Sequence, residues 1–276
     1  MSGGLSLTFW GVRGSIACAG PAYQRYGGNT SCLEVRCGTH ILIFDGGTGL
    51  RPLGEKLKAE SPLELDLFLT HSHLDHIVGI PFFKPLYDKA NLVRFWAGHL
   101  LPDHRVKEAI CAMMEAPLFP VPIDIFPAKT VFNDFAAGDV LRPVPEVTLK
   151  TVRLNHPNGA TGYRIEHEGK SVCYITDTEH KTGEGLDRSI LSLIEGTEIF
   201  IYDSTYTEEE YPKYAGWGHS TWAKGLELAA AAGAGTFIAF HHDPSHDDAF
   251  MDRLAEKLDR ARPGSLVARE GMTLAP

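Results

Sequence analysis

The sequence predicts an α/β protein in which two β-rich halves pack sheet on sheet with helices outside, forming one domain over residues 1–276. Short apolar segments rich in β-branched and aromatic residues recur along the chain, separated by glycine and proline turns. They come in two batches, each followed by helical patterns, with a proline-rich loop at 117–127 between them. Sheets that each bury one face favour this layered arrangement.

Each element is predicted from its own pattern. Strands are expected at 5–10, 31–36, 40–44, 65–69, 92–96, 147–154, 163–166, 171–176, 198–202 and 236–240. Helices are expected at 77–89, 103–114, 189–194, 221–232 and 247–261. The last helix follows Ser245 and acidic residues and precedes Pro263 and Gly264, which are typical start and stop signals.

The composition excludes several classes of protein. Apolar residues make up 43% and charged residues 22%, which is ordinary for a globular chain, and no run approaches the ~20 apolar residues of a membrane span. The first residues lack the pattern of a signal peptide. A net charge of −9 disfavours a broad nucleic-acid surface. Five scattered cysteines are expected to be free thiols, which indicates a cytoplasmic protein.

Six predicted strands run into an aspartate or a histidine. These residues are Asp45, His71, His156, Asp177, Asp203 and His241. For a single strand, a polar residue that begins a loop would be the ordinary explanation. Six strand ends with the same two residue types instead favour a metal site at one edge of the sheets, where open α/β architectures place their sites.

The densest group lies in the segment T-H-S-H-L-D-H at 70–76. Residues two apart in an extended chain share a face, so His71 and His73 can bind one ion together. Asp75 and His76 lie where the chain turns into a helix and can serve a second ion. A polar surface turn is the alternative explanation for this motif taken alone.

Three more donors would complete two metal sites. His156 would be the third imidazole of the first site, Asp177 could bridge both ions, and His241 would close the second. His242 competes with His241, which we favour because it directly follows the apolar run. Nitrogen and oxygen donors without thiolate suit zinc, manganese or ferrous iron. We expect two divalent metal ions, with zinc as the favoured metal and manganese and iron as the alternatives.

These residues resemble the metallo-β-lactamase superfamily over most of the chain. Its His-x-His-x-Asp-His signature stands here at 71–76, and the resemblance implies an αββα sandwich of two mixed β-sheets with flanking helices. It also implies that Asp45, in the segment F-D-G-G-T-G, orients the signature loop rather than binding metal.

The last third is similar to ribonuclease Z and related cyclic phosphodiesterases, with Y-D-S-T-Y at 202–206 and G-H-S-T at 218–221 in the same order. The resemblance implies that His219 contacts the scissile phosphate, with Asp203 as a supporting residue behind the metal centre. A solvated loop histidine is the alternative. Ribonuclease Z carries a long tRNA-binding arm between its equivalents of His156 and Asp177, and only 21 positions separate them here. A nucleic-acid substrate is therefore not expected.

We expect a hydrolase in which hydroxide held between two metal ions attacks a small phosphodiester or cyclic nucleotide, with Asp75 and His219 as catalytic residues. A glyoxalase II-like thioester hydrolase and a non-catalytic metal-binding member of the fold are the alternatives. A homodimer is compatible with the resemblance, and no membrane partner is expected. Arg13, in the segment G-V-R-G-S, could meet a phosphate or form a surface salt bridge. Among the other histidines, His180, three positions after Asp177, is the one favoured to line the pocket, and His246 could line it or lie in a loop.

Overall fold

A computed structural model describes residues 3–181 and 183–276. Within them, fourteen strands form two seven-stranded sheets, with six α-helices around them. The strands are β1 (Leu5–Gly11), β2 (Cys32–Cys37), β3 (His40–Phe44), β4 (Glu64–Leu69), β5 (Leu92–Ala97), β6 (Lys129–Asp134), β7 (Val140–Leu141), β8 (Val147–Leu154), β9 (Ala160–His167), β10 (Lys170–Ile175), β11 (Ile199–Asp203), β12 (Thr236–Phe240), β13 (Leu266–Val267) and β14 (Thr273–Leu274). The helices are α1 (Leu50–Leu57), α2 (Leu74–Ile77), α3 (Val106–Met113), α4 (Arg188–Ile194), α5 (Trp222–Ala231) and α6 (Asp248–Ala261).

Both sheets are mixed and follow the same plan. The first has the order β14-β1-β2-β3-β4-β5-β6, antiparallel up to β3 and parallel from β3 onward. The second has the order β13-β12-β11-β10-β9-β8-β7, parallel from β13 to β10 and antiparallel from β10 to β7. The predicted αββα sandwich is confirmed.

Alternation along the strands divides the core into three layers. On β3, Leu42 and Phe44 face the second sheet, while Ile41 and Ile43 pack against helices on the outside. The second sheet does the same, since Ile201 of β11 faces the first sheet and Phe200 faces the helices. Successive residues of a strand therefore belong to different apolar clusters, and the helices are held outside both sheets.

The helix predicted at 77–89 is wrong. The chain has only the short α2 there, followed by two 3₁₀ turns at Ile80–Phe82 and Lys84–Tyr87. Pro81 and Pro85 lie at the starts of these turns and lack the backbone N–H that a continuous helix needs. Helix α1 and strands β6, β7, β13 and β14 were not predicted, and three of these strands have only two residues each. No described helix has the length and apolar character needed to cross a membrane.

One edge of the sandwich collects the ends of strands from both sheets. Strands β3 and β4 run parallel in the first sheet, as do β10, β11 and β12 in the second, so the carboxyl ends within each set lie together. The backbone N–H of Thr161 donates to the carbonyl of Thr70, which joins the two sheets at this edge. The segments that follow these strands are therefore brought into contact.

The core between the sheets should dominate stability. Leu42 is fully buried there, and Leu118 is 78% exposed on a loop. We expect Leu42→Ala to lower the free energy of unfolding by about 2–5 kcal/mol through the cavity it leaves. The control, Leu118→Ala, should change it by less than about 0.5 kcal/mol. Urea unfolding of the metal-free proteins measures both, and equal effects would contradict this assignment of the core.

Candidate metal centre

Three site residues follow strands in a left-handed backbone conformation. The φ angle is 62° at Asp45, 55° at Asp177 and 63° at His241, after β3, β10 and β12 respectively. Aspartate and histidine are among the non-glycine residues that tolerate this conformation best. Such strained positions concentrate at functional sites. All three side chains are buried at the shared edge of the sheets.

The first group of donors consists of His71, His73 and His156. One ring nitrogen from each lies within 4.8 Å of the others, and His156 Nε2 is 3.1 Å from His73 Nδ1. His71 Nε2 is buried and has no hydrogen-bond partner within the described residues. Three imidazoles that converge in this way, with one nitrogen unsatisfied, have the donor set of a metal site.

The second group consists of Asp75, His76 and His241. Asp75 Oδ2 lies 3.3 Å from His76 Nε2 and 3.4 Å from His241 Nε2. The two imidazole nitrogens are 3.4 Å apart. All three residues are buried, so these donors face one another rather than bulk solvent.

The carboxylate of Asp177 lies between the two groups. Its Oδ1 is 3.8 Å from His71 Nε2, 3.7 Å from His156 Nε2 and 3.4 Å from His241 Nε2, and its Oδ2 is 3.3 Å from His76 Nε2. Burial alone would raise the pKa of Asp177, but the surrounding imidazoles, His241 first, hold that pKa well below its usual range. Asp177 is therefore an anion shared by both donor groups.

The donor chemistry fits divalent cations. Burial would lower the pKa of His76, but Asp177, Asp75 and Asp45 raise it well above its ordinary value, so this position attracts positive charge. Burial and the charge of His76 instead lower the pKa of His71 well below its ordinary value. The ring therefore stays neutral, and its Nε2 keeps the lone pair that binds a metal ion. Imidazole and carboxylate donors without thiolate suit zinc, manganese or iron.

Asp45 supports the site from behind without joining either group. Its carboxylate accepts hydrogen bonds from the backbone N–H of Thr70 (2.8 Å) and the hydroxyl of Tyr174 (2.9 Å), and it lies 2.9 Å from His76 Nδ1. A carboxylate on the outer nitrogen of a ligand imidazole sets the orientation of the ring. Asp45 thus connects the first sheet, the signature loop and β10.

Other ligand imidazoles are also held at the nitrogen that faces away from the centre. His71 Nδ1 is 3.1 Å from Thr70 Oγ1, and His241 Nδ1 is 3.0 Å from Thr205 Oγ1. His156 Nδ1 donates to the carbonyl of Gly218 at 2.8 Å. None of these partners was predicted from the sequence. Thr70 and Thr205 lie inside the quoted motifs, so their position in the chain was the available signal.

His219 pairs with Asp203 beside the two groups. Its Nδ1 donates to Asp203 Oδ2 at 3.0 Å, and Asp203 also accepts from the backbone N–H groups of Thr178 and Thr205. Burial would lower the pKa of His219, but the charge and hydrogen bond of Asp203 raise it to about 9. A ring nitrogen of His219 also lies within 4.8 Å of donor atoms of His156 and Asp177, and of Asp203 and His241. Because Asp203 engages its Nδ1, we interpret His219 as a hydrogen-bonded imidazole rather than a ligand.

Arg13 does not form the surface salt bridge that was one of its two expected roles. The side chain is fully buried, so a surface salt bridge is excluded. Its Nε donates to the carbonyl of Gly27 at 2.8 Å, and its Nη1 donates to the carbonyl of His246 at 2.6 Å. The guanidinium joins the N-terminal loop to the segment that follows His241.

The next two residues of this loop contact the second donor group directly. A Cβ atom added at Gly14 would overlap the ring of His241, so only glycine leaves room for the imidazole. The backbone N–H of Ser15 donates to Asp75 Oδ2 at 2.8 Å. The G-V-R-G-S segment therefore holds two ligands of one group.

The other histidines in question lie outside the donor groups. His242 is buried and its Nε2 donates to the carbonyl of Ala268 at 2.8 Å, so His241 takes the place in the centre. His180 Nδ1 contacts the hydroxyl of Ser220, and His246 Nε2 contacts the carboxylate of Glu210. All the residues proposed from the sequence as ligands converge on one centre.

Comparison with known proteins supports the same architecture. Residues 40–242 match the family model described as the beta-lactamase superfamily domain. A ribonuclease Z of Haloarcula marismortui is 25% identical over 316 aligned positions, which cover 97% of this chain and 96% of that protein.

Solved structures share the fold. The metallo-beta-lactamase fold protein YhfI of Bacillus subtilis has a TM-score of 0.72 at 19% identity and covers 98% of this chain and 99% of its own. A diphosphatase of the PhnP family has a TM-score of 0.69 at 16% identity, covering 99% of this chain and 98% of its own.

Asp45 should affect metal affinity without binding metal. We expect Asp45→Asn to weaken zinc binding by about 10–100-fold, because the orientation and basicity of His76 depend on this carboxylate. The matched control is Asp66→Asn, since Asp66 is a buried aspartate of β4 that bonds Trp96 instead of a ligand. Competition with a chromophoric chelator measures both. Equal zinc affinity in the Asp45 variant and the wild type would contradict the role.

Gly14 should matter through the space it leaves. We expect Gly14→Ala to weaken binding of one zinc ion, at the His241 group, and to leave binding at the other group unchanged. Calorimetric zinc titration resolves the two classes of site. Gly4→Ala serves as control, because a Cβ at Gly4 meets no atom within 4 Å. Uniform weakening of both ions would show that the variant disturbs the whole fold.

Proposed function

Because the chain belongs to the beta-lactamase superfamily, we propose that it is a phosphodiesterase that uses two divalent metal ions, zinc first, to hydrolyse a small phosphodiester or cyclic nucleotide. The observation that carries this proposal is the pair of donor groups that share Asp177 next to the Asp203–His219 pair. We also propose that residues 1–276 act as one domain, since the core between the sheets draws on both halves of the chain.

The proposed ligands divide between two ions. His71, His73 and His156 would hold one, Asp75, His76 and His241 would hold the other, and Asp177 would contact both. Two bound cations supply a water of lowered pKa and offset the negative charge of a phosphodiester. The chain positions its ligands through Asp45, Thr70, Thr205 and the carbonyl of Gly218, as described above.

His219 has the partner that a proton donor needs. Asp203 fixes its Nδ1 as a donor and stabilises the protonated ring, which leaves Nε2 to donate to an oxygen of the substrate. Because the oxygens of Asp203 accept from backbone N–H groups as well, the carboxylate cannot turn away from the imidazole. Asp75, held by the N–H of Ser15, would orient the nucleophile in addition to binding metal.

The size of the substrate is inferred from the positions of the aligned ribonuclease Z that have no equivalent in this chain. The aligned ribonuclease Z is named for RNA cleavage, and the phosphodiester chemistry we propose is the same. The alignment extends over 316 positions and this chain has 276 residues, so that protein has at least 40 positions without an equivalent here. Between His156 and Asp177 this chain has only the hairpin of β9 and β10, with a tight turn at Glu168 and Gly169. This favours a small substrate over tRNA.

His219→Ala should retain metal and lose turnover. A general acid typically contributes about 10²–10⁴-fold, so we expect kcat to fall by at least about 100-fold with zinc content unchanged. The control is His40→Ala, because His40 begins β3 at the end opposite Asp45. Elemental analysis and an aryl phosphodiester assay are the measurements. Loss of zinc would make His219 a ligand, and unchanged kcat would remove it from the mechanism.

The reaction class is tested by a panel of substrates. The metal-free protein should be inactive and should regain hydrolysis of an aryl phosphodiester with zinc or manganese, while a thioester and a cephalosporin remain intact. Preferential thioester cleavage would favour the glyoxalase II-like alternative. Metal binding without any hydrolysis would favour a non-catalytic role and contradict the proposal.

A further inference from the structure

A cavity of about 640 Å³ opens beside the first donor group. Three proposed ligands line it, namely His71, His73 and His156. The remaining polar lining includes His99, Asp103, His104, Arg153 and Asn158, none of which the mechanism uses. A cavity of this volume suits a small molecule. Because the proposed metal ligands form part of its wall, the cavity belongs to the substrate cleft.

Arg153 brings an uncommitted positive charge to this cavity. It lies on β8, three residues before His156, and its side chain is exposed. Within the described residues no carboxylate comes within 4.0 Å of its guanidinium, so no ion pair neutralises its charge at the cavity. The guanidinium lies over Gly159, where an added Cβ would be 3.0 Å from Nη2. The backbone thus leaves space for the Arg153 head group at the cavity.

His99 adds a buried nitrogen without a partner. The residue is only 5% exposed, and its Nε2 is 3.1 Å from the hydroxyl of Ser72, which lies between two proposed ligands. Its Nδ1 is buried and makes no hydrogen bond in the described part of the chain. A buried polar atom in this state costs free energy until a ligand or water satisfies it.

The lining outside the first donor group favours an oxyanion over an apolar group. Asp103 is the one carboxylate among the described lining residues, set against Arg153, and the side chains of His99 and His104 add ring nitrogens. The planar guanidinium of arginine matches the oxygens of a phosphate and can bond two of them at once. A phosphate bound by the guanidinium of Arg153 would lie in the same cavity that His99 lines.

We propose that this cavity binds a second, terminal phosphate of the substrate, held by Arg153 with His99 as a further contact. This rests on the proposed phosphodiesterase function and narrows its substrate class to small phosphodiesters that carry a separate phosphate monoester. A terminal group is favoured over a continuing nucleotide chain because the cavity has the volume of a small ligand and the chain lacks the extra positions of its ribonuclease relative.

Two chromogenic probes differ only in that group. Thymidine 5′-(4-nitrophenyl phosphate) is a phosphodiester, and its 3′-phosphorylated form carries the added monoester. We expect the zinc-loaded enzyme to hydrolyse the 3′-phosphorylated probe with a kcat/KM at least about tenfold higher, mainly through KM. Arg153→Gln should bring the ratio of the two kcat/KM values close to one.

The matched control is Arg142→Gln. Arg142 is also an exposed arginine, just after β7, whose partner residues lie toward the start of β8 rather than the end near His156. This variant should keep the wild-type ratio. A wild-type ratio near one, or a ratio unchanged in Arg153→Gln, would overturn the proposal. A third probe, with a nucleotide linked at its 3′ position, tests whether the cavity instead holds a continuing nucleotide chain. If this probe raised kcat/KM as much as the 3′-phosphate does, the terminal-phosphate site would also be overturned.

A binding measurement separates this proposal from the proposed function. Calorimetry with thymidine 3′,5′-bisphosphate and thymidine 5′-phosphate needs no turnover. If no probe is hydrolysed, the phosphodiesterase proposal fails. The cavity assignment then stands if the bisphosphate binds at least about tenfold tighter in the wild type and not in Arg153→Gln. It falls if the two ligands bind alike.

Discussion

The position of one carboxylate organises the site. Asp177 is buried and shared by imidazoles that arrive from both sheets, from the signature loop after β4, the loop after β8 and the end of β12. A buried anion is stable only where positive charge or donors surround it. The four imidazoles around Asp177 meet that need in part, and cations between them would meet it fully. The two sheets must therefore pack so that these strand ends meet at one edge, because only then do the imidazoles surround the buried carboxylate.

The parts of the site that lie at strand ends could be predicted from the sequence. Asp45 and His241 directly follow apolar strands, and the four donors at 71–76 are close in the chain, so local spacing alone indicates a shared function. The meeting of His156 with His73 depends on how the two sheets pack, and strand patterns alone do not determine that packing. His156 was predicted as a ligand from its position after an apolar strand, and its contact with His73 is seen only in the structure.

Residues that act through backbone contacts could not be assigned in advance. Arg13 reads as a surface cation in the sequence, yet its guanidinium bonds carbonyls that come from residues 27 and 246. Gly14 matters because of the His241 ring, which is more than two hundred residues away. Such contacts are long-range properties of the fold. The helix expected at 77–89 is absent for a local reason instead, because Pro81 and Pro85 lack the backbone N–H that a continuous helix needs.

Anomalous diffraction would show whether Asp177 lies between two cation sites. Crystals of the zinc-loaded protein, measured on both sides of the zinc absorption edge, should show two peaks on either side of the Asp177 carboxylate, one by His71, His73 and His156 and one by Asp75, His76 and His241. A single peak between Asp203 and His219, or no peak near Asp177, would contradict the account.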